Sequence, residues 1–260
     1  MDIHKPKPWH GVREFLKEYV IIVVGVLTAL GAEQVAEALH GRHVVHEAEA
    51  AMRSELVDDD LPQAYVRMAV TPCMVRDLDA LKSAVDARMP PQQFGVLAKA
   101  YLPPIRTWDE AAWKSTAASG AATRMDGARL LGWSHAYTWI PFLQAFGIGE
   151  FNATTHLSRS RYRSGAWTAQ RADELSDIVD ELRTLNVAMA ENSGELLMKA
   201  KTIGAQLPPA VELRLLAESR KTYGDCVIKP SPEIMNLLQD QTISPEQQRQ
   251  LNRALGITEP

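Results

Sequence analysis

Three histidines lie within seven residues, His40, His43 and His46, with Glu37 and Glu47 beside them. Imidazole nitrogens and carboxylate oxygens are ligands a divalent metal would take, and histidine exchanges its proton near neutral pH. On a helix His40 and His43 share a face, and so do His43 and Glu47, because residues three and four apart are neighbours. His46 falls about 120° around the helix from His40. One helix therefore cannot gather all three. A metal or proton site at His40, His43 and Glu47 would need a second helix or a second copy to complete it. The plainer expectation is a row of hydrated histidines.

Arg159, Arg161 and Arg163, with His156 and Tyr162, form the one dense basic cluster. Guanidinium groups at that density suit an anion or lipid headgroup, or an acidic partner, and equally a solvated turn. Trp108, Trp113, Trp133, Tyr137 and Trp139 could line an apolar pocket, but their near-helical spacing reads first as core. No nucleophile elbow, phosphate-binding loop, dinucleotide fingerprint or H-E-x-x-H occurs. The expectation is a protein that is not an enzyme and that carries no cofactor.

Composition narrows the class. The chain has 260 residues, 46% hydrophobic, with a formal net charge of -4. That supports a sizeable core and gives no basic field for nucleic acid. The two cysteines, Cys73 and Cys226, would be either paired or awkwardly free in an exported domain. A disulfide is expected. It would close a loop of about 150 residues and contribute a few kcal/mol in the chain-entropy account.

The element that positions all of this is Tyr19–Ala32, YVIIVVGVLTALGA, fourteen residues without a charge. Alone it covers about 21 Å, short of a hydrocarbon core about 30 Å thick. Phe15 and Leu16 extend it to about 27 Å, since Lys17 and Glu18 can reach the headgroups. Three readings fit: a single-pass anchor, a signal peptide cleaved near Ala29-Leu30-Gly31, and a buried helix. The anchor fits best, because a long n-region carrying Asp2, Glu14 and Glu18 argues against cleavage. Lys5, Lys7, Arg13 and Lys17 precede the span and only Arg42 follows closely, which puts the N-terminus in the cytoplasm. Residues 1–11 are then a cytoplasmic tail, 12–34 the transmembrane helix and 35–260 an extracytoplasmic domain. Gly25 and Ala29 form a small-xxx-small pair, with Thr28 and Ala32 in a second row. Both rows suit helix–helix packing in the membrane and a homo-oligomer.

Beyond the span the pattern is helical throughout. A helix from Val12 is expected to run to Asp60. There Asp58-Asp59-Asp60 ahead of Pro62 reads as a solvated acidic turn. Thr71-Pro72 looks like a helix start for residues 72–88. Pro90-Pro91 opens a short helix to about Tyr101. Thr107-Trp108-Asp109-Glu110 reads as a capping box. An aromatic-rich helix is expected over 126–146 with a kink at Pro141, then a polar break over 152–164. Leu175, Ile178, Leu182, Leu185, Met189, Asn192, Leu196 and Ile203 give the clearest helical spacing, a heptad seam with Asn192 as its polar member. Further helices are expected from Pro209, Ser231-Pro232 and Ser244-Pro245. The expected fold is all-α: a membrane helix continuing into a bundle of long heptad-patterned helices.

EYVIIVVGVLTALGAEQ followed by EL-x-DDD resembles the N-terminus of a family of uncharacterised single-pass membrane proteins of Gram-negative bacteria. The shared features are Glu18, Gly25 and Ala29-Leu30, with Trp108 and Ser119-Gly120 as a middle motif. Glu33-Gln34-Val35 stands where that family has Asn-x-Trp, and the resemblance covers roughly half the chain. It implies a bacterial inner-membrane protein with a periplasmic helical domain, and no assigned activity. The leading expectation is a membrane-anchored scaffold or assembly protein, with membrane lipid, its own copies and another envelope protein as candidate partners. The alternative is a sensor or ligand-binding module. An alkaline phosphatase reporter fused after Pro260 is expected to be active, and a cytoplasm-only reporter silent. The reverse result would overturn the orientation.

Overall fold

In the computed structural model, residues 11–104, 107–159 and 167–231 are described, and all their regular structure is helical. From Val12 to Asp86 the backbone is one helical run of 75 residues, about 110 Å long. It comprises α1 (Val12–Ser54), a π-helical segment (Glu55–Asp60) and α2 (Leu61–Asp86). After these come α3 (Pro91–Ala100), α4 (Ala111–Ala118) and a single 3-10 turn (Ala122–Arg124). Then follow α5 (Gly127–Tyr137), α6 (Ile140–Arg159), α7 (Ala169–Thr202) and α8 (Pro209–Tyr223).

The expected helix start at Thr71-Pro72 is corrected: α2 begins ten residues earlier and passes straight through Pro72. An internal proline costs about 3 kcal/mol. Residues 61–71 offset that by burying Leu61, Ala64, Tyr65, Met68, Ala69 and Val70. Thr71 is no N-cap; its hydroxyl donates to the Arg67 carbonyl at 2.8 Å. The expected helix over 126–146 is two helices, split at Thr138-Trp139, so that Pro141 stands in the first turn of α6 rather than at a kink. Asp126 caps α5 by accepting from the Arg129 N–H at 3.0 Å. The polar break expected over 152–164 is corrected for residues 152–159, where α6 continues to Arg159 with Ala153 and Leu157 buried. The helix starts expected at Ser231-Pro232 and Ser244-Pro245 lie outside the described residues.

α7 packs against α2, α5 and α6, and α8 packs on α2. The buried positions of α7 are Leu175, Val179, Leu182, Asn186, Met189, Ala190, Ser193, Leu196 and Ala200. Asn192, expected in that seam, is instead half-buried and donates to the Ala188 carbonyl of its own helix at 2.7 Å. Asn186 is the polar residue inside. Two glycines let the helices close. A Cβ at Gly132 would sit 2.6 Å from Ile203 Cγ2, and one at Gly149 would sit 3.2 Å from Leu185 Cδ2. Cys73 and Cys226 are joined, with their Cα atoms 5.2 Å apart. The Ile228 N–H also donates to the Ala69 carbonyl at 3.1 Å. Both bonds hold the strand of chain after α8 onto α2.

Three helices meet at one buried ionic contact. Arg67 of α2 donates from Nη1 and Nη2 to the two carboxylate oxygens of Glu150 on α6, each at 2.7 Å. Nη2 also donates to Asn186 Oδ1 on α7 at 2.9 Å. Arg67 and Glu150 are 1% exposed and Asn186 is fully buried. Removing one partner from such a pair strands a charge and costs about 3–5 kcal/mol, whereas an apolar replacement of the whole set is close to neutral. Arg67→Met is therefore expected to lower thermal stability strongly. The triple variant Arg67→Met/Glu150→Leu/Asn186→Leu should recover most of the loss. A triple variant no more stable than the single, by melting followed with circular dichroism, would contradict this.

Candidate functional site

The π segment is the feature the sequence did not announce. A π turn inside a long helix widens the ladder by one residue and is often found at functional positions. Here it turns Leu56 and Asp60 into the core and leaves Asp58 and Asp59 exposed. The expected solvated acidic turn is thus corrected: Asp60 has no exposed surface. Pro62 does not end the helix: the run passes through it directly after the π segment, with Leu61 and Ala64 on either side of it fully buried.

Around Asp60 the side chains close a polar knot. Asp60 Oδ1 accepts from the Asp109 N–H at 3.3 Å, and among the described residues Oδ2 has no hydrogen-bond partner. Glu55 Oε2 accepts from the Ala112 N–H at 2.8 Å, at the start of α4. The Tyr137 hydroxyl donates to Glu55 Oε1 at 2.7 Å and lies 3.1 Å from the Met52 carbonyl oxygen. Trp113 stacks on Tyr137 with ring centroids 5.6 Å apart. Asp109 Oδ1 accepts from the Ala111 N–H at 2.9 Å. The expected capping box at Thr107 and Glu110 is therefore replaced. Glu110 is the N-cap position without a side-chain bond, and α4 is capped by Asp109 and by Glu55 from across the fold. Local pattern could not supply a cap donated from fifty-seven residues away.

Burial pushes the Asp60 carboxyl up to about 8 from an ordinary 3.8, and the negative charges of Glu55, Asp59 and Asp109 push the same way. The Asp109 N–H offsets part of this. Burial, and then the bond to Glu55, raise Tyr137. At neutral pH Asp60 is thus a neutral carboxylic acid. With no exposed surface it holds a proton inside the joint between α1 and α2, out of reach of any substrate.

The residues read from sequence scatter. Gly25, Thr28, Ala29 and Ala32 lie on an exposed length of α1, and nothing lies within 4 Å of a Cβ built at Gly25. Thr28 Oγ1 donates to the Val24 carbonyl at 2.7 Å. His43 Nε2 and Glu47 Oε1 are 3.1 Å apart and exposed, and His40 is exposed as well. Among the described residues no three His, Cys, Asp or Glu side chains converge as a metal site would require. Arg159 is exposed at the end of α6, and Arg161 and Arg163 lie outside the described residues. The aromatic set is mostly core: Trp108, Trp133 and Tyr137 are buried. Trp139 borders a groove of about 710 Å³ with Leu61, Tyr65 and Leu207 in its wall.

Two signals for the buried charges existed. Arg67 is the one charge in the apolar run from Ala64 to Val70, and Glu150 is the one in Ile140–Ala153. A lone charge on an apolar helix face is a candidate for pairing inside. Neither signal names the partner.

No known protein family matches this chain, and no characterised protein or solved structure is similar to it.

The Asp60 proton gives a sign to pH dependence. Because its folded pKa is raised, the folded chain keeps a proton that the unfolded chain releases between about 4 and about 8. This contribution is fully present below about 4 and is lost as pH rises through about 8. Asp60→Asn keeps the shape and cannot ionise. The gap in Tm between Asp60→Asn and wild type is expected to move in the variant's favour from pH 5 to pH 8.5. Parallel curves would show that Asp60 is not the titrating group.

Proposed function

We propose that the protein is a membrane-anchored scaffold or assembly protein acting through helix–helix self-association. Residues 12–34 are its transmembrane helix in a bacterial inner membrane, with residues 1–11 in the cytoplasm and 35–260 in the periplasm. The domain beyond is a helical bundle braced by α7, whose buried positions from Leu175 to Ala200 alternate chiefly four and three apart. One observation carries the reading. Among the described residues, α1 holds the one stretch long and apolar enough to cross a membrane, and none of that stretch is buried. Ile21, Ile22 and Leu27 are 70%, 64% and 63% exposed. A run of large apolar side chains with no partner among the described residues calls for lipid or another protein around it.

Self-association is supported by the small residues on that helix. Gly25 and Ala29 let two backbones approach, and contacts between helices in lipid come from such close packing rather than from the hydrophobic effect. The excess of Lys and Arg before the span supports the orientation. The resemblance carried by Glu18, Gly25 and Ala29-Leu30 agrees with the same layout. The alternative, a sensor or ligand-binding module on a single anchor, draws on the groove beside Trp139.

The particle extracted in mild detergent is expected to have a defined mass above one copy. Gly25→Leu/Ala29→Leu should shift it to the monomer without changing the domain's melting, since among the described residues nothing lies within 4 Å of a Cβ at Gly25. A wild-type monomer at high protein concentration would sink the assembly reading and favour the groove.

A further inference from the structure

A second groove, of about 750 Å³, lies where α1 leaves the proposed span. One wall is a single face of α1 from Gln34 to Glu49, with lining residues three and four apart. The other wall is Arg124 to Arg129, on the 3-10 turn and the start of α5. Val45 and Met125, both 8% exposed, form its apolar floor. Its charged groups are Glu37, Glu49 and Asp126 against Arg42, Arg124 and Arg129, with His46 beside them. Arg129 is committed within the protein. Its Nη1 is 3.6 Å from Glu49 Oε2 and its Nε is 3.2 Å from Asp126 Oδ2. Glu49 also accepts from Trp133 Nε1 at 3.4 Å. Among the described residues, Arg42, Arg124 and Glu37 make no ion pair. Arg124 lies flat against α1, its Nη1 3.7 Å from where a Cβ of Gly41 would be.

We propose that this groove binds the headgroup of an amine-bearing zwitterionic phospholipid, with the phosphate on Arg42 and Arg124 and the ammonium on Glu37. The inference rests on the membrane-anchored reading. Two uncommitted guanidiniums suit a phosphate, because each offers a planar fork of N–H donors. A purely anionic headgroup would bring no partner for Glu37, and a purely cationic ligand would meet the two arginines. A primary ammonium donates hydrogen bonds to a carboxylate, which a quaternary one cannot.

Position selects a lipid over a free phosphate compound. Glu37 lies about 5 Å and Arg42 about 12 Å along the helix axis beyond Gln34. The headgroup layer is roughly 5–8 Å deep on each side of the hydrocarbon. Glu37 is therefore within that layer, and the long arginine side chains reach down toward it. Val35 and Leu39, each 60% exposed, carry the apolar surface of α1 up to the same level, where acyl chains would lie.

The test uses the full chain, in nanodiscs of phosphatidylethanolamine, phosphatidylcholine and phosphatidylglycerol in equal parts. Native mass spectrometry of the released particle counts the lipid retained. Phosphatidylethanolamine is expected to be enriched about tenfold, the scale of one charge-assisted hydrogen bond. Arg42→Ala/Arg124→Ala should abolish retention of all three. Glu37→Gln should remove only the preference over phosphatidylcholine. Equal retention of the three lipids by wild type, or unchanged retention by the arginine variant, overturns the proposal. Flotation of the same preparation with vesicles after an alkaline wash checks the anchor separately. A chain that floats without lipid preference overturns the headgroup site alone, and a chain that does not float overturns the anchored reading with it.

Discussion

The domain is organised around a charge it has taken out of water. Arg67, held by both oxygens of Glu150 and by the carbonyl oxygen of Asn186, is the meeting point of α2, α6 and α7. Burial of an ion pair adds little net stability, because desolvation consumes most of the Coulombic gain. Its effect is on uniqueness. A slip of one residue in α2 or α6 would turn one charge away from the other and leave both stranded in apolar surroundings, and a slip in α7 would take the Asn186 oxygen from Arg67. The environment is dry enough that burial, and then the Glu150 charge, raise the nearby Tyr101 hydroxyl. Exposed pairs at the rim, such as Lys82 with Asp180 on α7, add a soft and salt-screened tether to the same interface.

That fixed core makes the unbroken helix meaningful. α1 and α2 share one helical run, so whatever sets the direction of α1 must act at the π segment between them. There the acid side chains of Glu55 and Asp60 take the backbone N–H groups that begin α4, and Tyr137 of α5 locks onto Glu55. One turn earlier, Arg53 donates to the carbonyls of Ile203 and Gly204 at the end of α7. Those carbonyls have no helical partner, and a cation there also meets the negative end of the helix dipole. The joint is therefore held from three sides, and a long lever of exposed apolar helix projects from it. The groove beside Gly41 sits at the base of that lever, where a headgroup would touch both the lever and the domain.

The sequence determined the helices and their order, because helix-forming periodicity, prolines and caps act within a few residues. The start of α1 near Val12, the break at Pro90-Pro91, a helix start near Asp126 and the start of α8 at Pro209 were all legible that way. The apolar run with its flanking lysines was equally plain, since lipid is read by composition. Tertiary structure decided what depends on partners far along the chain. Pro72 looks like a helix start until the burial of residues 61–70 outweighs it, and Asp60 looks solvated until a π turn faces it inward. On α7 the residues at 185 and 192 and those at 186 and 193 differ by only 100° around the helix. Periodicity alone cannot choose between two adjacent stripes of similar polarity. The choice fell to Asn186 because the Arg67 guanidinium, brought in by α2 and held by Glu150 of α6, has a further N–H that needs an acceptor there.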